Sequence, residues 1–242
     1  MHMVPWLYMW SQKYELFHRL LVDTVTATSE PNLTLKPLFI EQAVFDAELD
    51  QKKAHPWMGC VRKVLLVLEH LKASTEPYIF VTDIDIIVKK VVYDALAPHM
   101  DSNTSMVFLK EGEHCNIGAC LLRCCPEVIS FWEMVLANMQ TNATAHDQAV
   151  VNLLLPGYLG SWSTFSTKDF ACSNTWDGSP FVLYQPLSSR MGPELDFAEK
   201  IFYSAQFVNL QDYMKYVPPE IIPFIYTFQE YLLERNKGAS EN

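Results

Sequence analysis

Apolar and polar residues alternate along this chain in two periods, one close to 2 and one close to 3.6, and the switches between them mark strands and helices in turn. Val4 to Trp10 predicts a first strand. A helix follows, with Tyr14, Phe17, Leu20, Leu21 and Val25 on one apolar face, and Thr28-Ser29-Glu30-Pro31 breaks it. Leu35 to Ile40 predicts a second short strand, and the charged stretch Asp46 to Lys53 reads as an exposed connection or a weak helix. Trp57 to Leu71 has helical spacing. Tyr78 to Val88 is an almost unbroken apolar run, rich in β-branched and aromatic residues, and predicts one buried strand.

Val91 to Ala97 then predicts a short helix ended near Pro98, and Ser105 to Leu109 a strand. Cys115 to Leu122 predicts another strand, with Asn116 and Gly118 at its entrance. Pro126 suits the first turn of a helix over Glu127 to Met139, where a missing amide donor costs nothing. A further helix runs from Ala145 to Leu155, before Pro156-Gly157. Ser161 to Phe165 and Phe181 to Tyr184 read as strands of a more irregular, antiparallel part. Ile221 to Arg235 is amphipathic, and 237–242 reads as a disordered tail.

Strands alternating with helices predict an α/β fold: a mainly parallel sheet flanked by helices, with a smaller antiparallel C-terminal part. No repeat or linker divides the chain, so a single domain is expected over 1–236. Its 242 residues, 50% hydrophobic, are enough for a sizeable core. The net charge of −10, with no local basic cluster to offset it, argues against nucleic acid as a partner. No apolar run approaches the roughly 18 to 20 residues needed to span a bilayer.

The cysteines at 60, 115, 120, 124, 125 and 172 fit neither a zinc spacing nor a regular disulfide framework, so free buried thiols are expected. With no basic, cleavable leader at the start, the expected location is cytoplasmic, or the Golgi lumen should the chain be part of a longer one. In that second case the sequons at Asn32, Asn103 and Asn142 would gain meaning.

The chemistry concentrates at Asp83 and Asp85, two carboxylates inside the apolar run from Tyr78 to Val88. Carboxylates are costly to bury unless they are paired or coordinate a metal. On one strand they would share a face, roughly 7 Å apart at about 3.3 Å per residue, and could together hold a divalent cation. The plainer alternative is that they cap a helix or pair with a lysine. In parallel sheets, ligands gather at the carboxyl ends of strands, where this pair would lie.

Four segments, in order, resemble the nucleotide-diphospho-sugar glycosyltransferases of the GT-A fold: Arg62-Lys63 on a helix, Tyr78 to Val88 with its Asp-x-Asp, Cys115-Asn116-Ile117-Gly118, and His146-Asp147-Gln148. The likeness covers about 57–155 and, more weakly, the first strand and helix. It implies a donor that is a nucleotide sugar, most commonly a UDP-sugar, and a hydroxyl acceptor, most simply a glycan. It implies Mn²⁺ or Mg²⁺ on Asp85, with Asp83 helping through the metal or the ribose. By the same resemblance Lys63 contacts donor phosphates, with Arg62 equally available, and Asn116, Gly118 and Gln148 bind the donor.

Asp147 is the expected general base toward the acceptor, and Tyr8 or Tyr14 the expected stacking partner of the base, among the aromatics Trp6, Tyr8, Trp10 and Tyr14. Each has a plainer reading too: a solvated lysine, a strand-entry turn, a carboxylate favouring a helix N-terminus, core aromatics. Some related families take a third metal ligand from a C-terminal histidine, and none follows His146, which leaves phosphates and water, or a residue such as Asn174 or Asp177. The segment 168–178, with Trp162 and Trp176 nearby, suits an acceptor platform or an ordinary loop. Two other functions stay open at this point: a catalytically silent sugar-nucleotide-binding module, and a phosphohydrolase of the HAD type, which also carries Asp-x-Asp.

Overall fold

A computed structural model describes residues 3–44, 60–141, 146–188 and 192–226. The main sheet has six strands: β1 (Val4–Trp10), β2 (Leu33–Phe39), β3 (Tyr78–Thr82), β5 (Met106–Glu111), β6 (His114–Arg123) and β7 (Trp162–Thr164). Their order is β2-β1-β3-β6-β5-β7. β1 pairs in parallel with β2 and with β3, and β5 in parallel with β7, while β6 runs antiparallel between β3 and β5. The sheet is thus mainly parallel.

Alternation along the strands feeds two cores. Leu7, Ile79, Val81, Phe108 and Leu122 point to one face, where they pack with Val67, Phe131 and Trp132. The last three belong to helices α2 (Cys60–Ala73) and α4 (Pro126–Thr141). Trp6, Tyr8, Phe80, Val107 and Leu121 point to the other face and meet Phe165, Phe170 and Leu183. That face is covered by a second sheet, ordered β4-β9-β8, made of β4 (Ile87–Val88), β8 (Phe170–Cys172) and β9 (Leu183–Gln185). A third apolar cluster joins Leu16, Phe17 and Leu20 of α1 (Glu15–Ala27) to Phe197 and Ile201 of α6 (Pro193–Ala205).

The apolar run 78–88 is not one strand. β3 ends at Thr82, residues 83–86 are irregular, and β4 belongs to the second sheet. Both pieces are buried, so hydrophobicity alone could not show the break. Asp83 and Asp85 therefore sit in the crossing between sheets rather than on a common strand face.

Three other boundaries shift. α3 (Tyr93–Asp101) continues through Pro98, whose carbonyl still accepts from Ser102 N at 3.1 Å. β7 joins the main sheet in parallel, and β9 pairs antiparallel with β4 but in parallel with β8. Residues 168–178 contain β8. The helix expected over Ala145 to Leu155 is α5 (Asp147–Leu154), with Asp147 as its first residue and Leu155 in a following 3-10 turn. The stretch Asp46 to Lys53 and the tail 237–242 lie outside the described residues, as does Ile221 to Arg235 beyond 226. Cys115, Cys120, Cys124, Cys125 and Cys172 are free thiols, the first two and the last buried. Among the described residues no helix is long and apolar enough to cross a membrane.

Candidate active site

One cleft opens where the carboxyl ends of β1 and β3 meet the second sheet. Tyr8, Tyr14, Lys63, Asp83, Asp85, Asn116, Asp147 and Gln148 all line it, joined by Glu111, His146, Gln185 and Lys200. Gly118 is not on its wall, and neither is Arg62, the alternative to Lys63. The crevice outside the carboxyl ends of parallel strands is where α/β sheets bind ligands, because the chain splays there into loops and helix starts.

Both aspartates are paired. Lys63 Nζ lies 2.6 Å from Asp83 Oδ1 and also donates to Ile117 O at 2.7 Å. Gln185 Nε2 donates to Asp83 Oδ2 at 2.9 Å. Lys200 Nζ lies 2.5 Å from Asp85 Oδ2. The plainer reading of the acidic pair, a lysine partner, thus holds for each carboxylate.

Burial opposes charge on Asp83, but the Lys63 ammonium, helped by Lys200 and Gln185, holds its carboxyl below the usual range. On Asp85 burial prevails over Lys200, and the neighbouring Asp83 charge adds to it, so that carboxyl is raised. Two close carboxylates are expected to split in this way. Burial favours neutral amines as well, yet Asp83 and Asp147 raise Lys63, and Asp85 raises Lys200, so both stay ammonium ions.

The local fold explains how Lys63 reaches this far. It sits on the sheet-facing side of α2, beside the buried Val64 and Val67, and is itself only 6% exposed. Between β5 and β6 the register jumps: Phe108 faces Cys120, but Leu109 faces Asn116. The irregularity around 117–119 turns Ile117 O to Lys63 and Gly118 O to the amide of Asp83 at 2.9 Å.

Gly118 lies under the side chain of Gln185. A Cβ built there would meet Gln185 Nε2 at 2.1 Å and Oε1 at 2.2 Å, so the close approach that glycine permits here is that of Gln185.

Glu111, at the end of β5, organises the two amides. Its Oε2 accepts from Asn116 Nδ2 at 2.8 Å and from Gln148 Nε2 at 3.2 Å. Asn116 Oδ1 accepts from Gly118 N at 2.6 Å, which fixes the Asn116 amide at both ends. Asp147 is 1% exposed; its Oδ1 accepts from Gln148 N at 2.8 Å and lies 3.2 Å from His146 Nδ1.

The aromatics divide. Trp6 is core, donating through Nε1 to Thr82 Oγ1 at 2.8 Å, while Trp10 lines the cleft with its ring stacked on His18, centroids 4.0 Å apart. Tyr8 and Tyr14 reach the cleft, Tyr8 with a phenol pushed up to about 12 by burial and Tyr14 packed on Phe197. Trp176 is taken up by packing on Phe181, Tyr184 and Phe207, away from the cleft, so it offers no acceptor platform, whereas Trp162 on β7 is 42% exposed.

The divalent cation that the resemblance implies can be tested against these donors. Asp83 and Asp85 are hard oxygen ligands, and Gln185 Oε1 is buried with no hydrogen-bond partner among the described residues. Carboxylates plus an amide oxygen suit Mn²⁺ or Mg²⁺. Neither Asn174 nor Asp177 completes such a set. Asn174 is turned to Glu111 Oε1 at 3.5 Å and Asp177 to Ser179 N at 2.9 Å, and neither lines the cleft. Among the described residues no three His, Cys, Asp or Glu side chains gather as a metal cluster.

Gln185, Lys200 and Glu111 escape a reading by motif. Each stands alone in its segment, and only the fold brings it to the acidic pair.

No protein-family model matches the chain, and no curated protein matches it significantly. Solved structures do. The galactosyltransferase LgtC, in complex with donor and acceptor sugar analogs, is similar with a TM-score of 0.52 at 10% identity, over 83% of this chain and 94% of that one. The apo-form glycosyltransferase GlyE of Streptococcus pneumoniae TIGR4 is similar with a TM-score of 0.55 at 11% identity, over 88% of this chain and 62% of that one. A glycosyltransferase involved in glycosylation of the major capsid of PBCV-1 gives 0.52 at 11%, over 76% and 93%. At such identities the likeness establishes the fold alone, the GT-A fold of these glycosyltransferases.

Proposed function

We propose that the chain is a glycosyltransferase that moves a hexosyl or pentosyl group from a nucleoside-diphosphate sugar, with a UDP-sugar as the first candidate, to a hydroxyl of a glycan. The observation that carries this reading is convergence. Two lysines and four carboxylates from five separate stretches of chain line one cleft at the carboxyl ends of β1 and β3 of a glycosyltransferase fold.

In the reaction the bond from the sugar's anomeric carbon to the diphosphate oxygen breaks, and its electron pair leaves with the diphosphate. The acceptor oxygen bonds to the anomeric carbon and gives up its proton. Stabilising charge on the leaving group is the main electrostatic demand. Lys63 brings fixed positive charge to the cleft, and Mn²⁺ or Mg²⁺ held by Asp83, Asp85 and Gln185 Oε1 would, when bound, polarise the phosphate oxygens.

Asp147 serves as the proton acceptor, with Glu111 holding the Asn116 and Gln148 amides toward the sugar hydroxyls. Tyr8 or Tyr14 stacks on the base.

The test is release of nucleoside diphosphate from a panel of sugar nucleotides, with and without glycan acceptors, comparing wild type and Asp147→Asn. Acceptor-stimulated release from at least one donor, lost in Asp147→Asn, supports the reading. Binding of donor with no turnover in any combination identifies a silent module instead, and cleavage of simple phosphate monoesters a phosphohydrolase.

A further inference from the structure

The acidic pair already has cations of its own, and one of them stands where a metal would have to be. Lys200 reaches Asp85 from α6, 115 positions along the chain, and the two side chains keep only 13% and 5% of their surface exposed. Its Nζ touches Oδ2 at 2.5 Å. A Mg²⁺-sized ion binds carboxylate oxygen at about 2.0 to 2.1 Å, so an ion on Asp85 and an ammonium on Oδ2 would be near neighbours of like charge.

Lys200 feels the Asp83 charge as well as that of Asp85, while Lys63 feels both Asp83 and Asp147. A second, independent observation points to a cation: Gln185, which lines the same cleft and whose Nε2 donates to Asp83 Oδ2, has its amide oxygen Oε1 buried with no donor among the described residues.

We propose that Lys200 is a tethered counter-ion that holds the cation position on Asp85, so that its ammonium and a divalent metal compete for one carboxylate. A metal enters only as Nζ leaves. This deepens the nucleotide-sugar reading of the same cleft, but the competition itself needs no nucleotide. It assigns the exchange to Lys200, the lysine on Asp85, and not to Lys63, which sits on Asp83 and Ile117 O.

The experiment is Mn²⁺ binding followed by loss of the free-ion electron paramagnetic resonance signal, with the whole chain and no nucleotide present. Lys200→Met is expected to bind Mn²⁺ at least about tenfold more tightly than wild type, the low end for removing a close, poorly solvated charge interaction. Lys200→Arg, which keeps the charge, is expected to stay near wild type. Should Lys200→Met lose its fold by circular dichroism, Lys200→Gln gives the same comparison with a polar group left against Asp85.

Equal or weaker Mn²⁺ binding by the folded neutral variant overturns the proposal, as does absence of Mn²⁺ binding in both proteins. A chain that shows the tenfold gain yet turns over no sugar nucleotide would sink the transferase reading and leave the competition standing.

Discussion

Substituting Gly118 by alanine is a small change with a worked consequence. The φ of Gly118 is not in the left-handed region, so backbone conformation does not oppose alanine; the obstacle is the side chain above it. A new Cβ would stand 2.1 Å from Nε2, 2.2 Å from Oε1 and 2.4 Å from Cδ of Gln185, so the whole amide must move by more than an ångström. Gln185 is 2% exposed and its Nε2 donates to Asp83 Oδ2 at 2.9 Å, so it has nowhere to go without giving up that bond.

Overpacking of this kind costs about 1 to 3 kcal/mol, and a lost hydrogen bond to a charged group about 1.5 to 3. The two overlap, since one movement relieves the first by causing the second, and a total of about 2 to 4 kcal/mol is expected. Urea unfolding of Gly118→Ala against wild type reads this directly. The decisive arm is a double-mutant cycle with Gln185→Ala, which removes the colliding amide. In that background Gly118→Ala should cost less than about 1 kcal/mol. An unchanged midpoint for the single variant, or the same cost in both backgrounds, would show that Gly118 and Gln185 are not coupled.

Other consequences follow from the same contacts. Lys63→Met leaves Asp83 without its ammonium, but the Asp83 side chain keeps 39% of its surface open to the cleft, so water offsets part of the loss. Thermal or urea unfolding should show about 2 kcal/mol rather than the roughly 3 to 5 expected of a fully buried pair. Asp83 has a lowered folded-state pKa, so its stabilisation is present above the unfolded value near pH 4 and is lost as pH falls through the folded value. Urea midpoints of wild type and Asp83→Asn should therefore differ at pH 7 and converge toward pH 2; a gap that widens on acidification contradicts the assignment. Glu111→Ala frees the Asn116 and Gln148 amides and should raise the donor KM about tenfold with little change in unfolding midpoint, checked by steady-state kinetics beside urea curves.

The sequence carried the parts of the site whose chemistry clashes with their surroundings. Asp83 and Asp85 stand out because carboxylates do not belong in a greasy run, whereas Asp147, at a helix start where a carboxylate is at home, stood out only through the resemblance carried by His146-Asp147-Gln148. Continuous apolar runs located β1 and β6 to within one residue, since each faces two cores. The run 78–88 misled for the same reason it was conspicuous: β3 and β4 are both buried, and nothing local says that they belong to different sheets.

Partners of the acidic pair were the least legible part. Lys200 lies on an amphipathic helix and Gln185 at the end of a three-residue strand, and each looks ordinary among its neighbours in sequence. Gly118 was visible, but what it makes room for was not, because Gln185 arrives from 67 residues away in the other sheet.

The most direct test of the central claim is a crystal structure of the whole chain grown with UDP and Mn²⁺. The account predicts nucleotide density in this cleft, with the diphosphate beside Asp83, Asp85 and Lys63 and the base against Tyr8 or Tyr14. Nucleotide bound elsewhere on the molecule, or a cleft that remains closed by the Lys200 and Asp85 pair at saturating nucleotide, would contradict it.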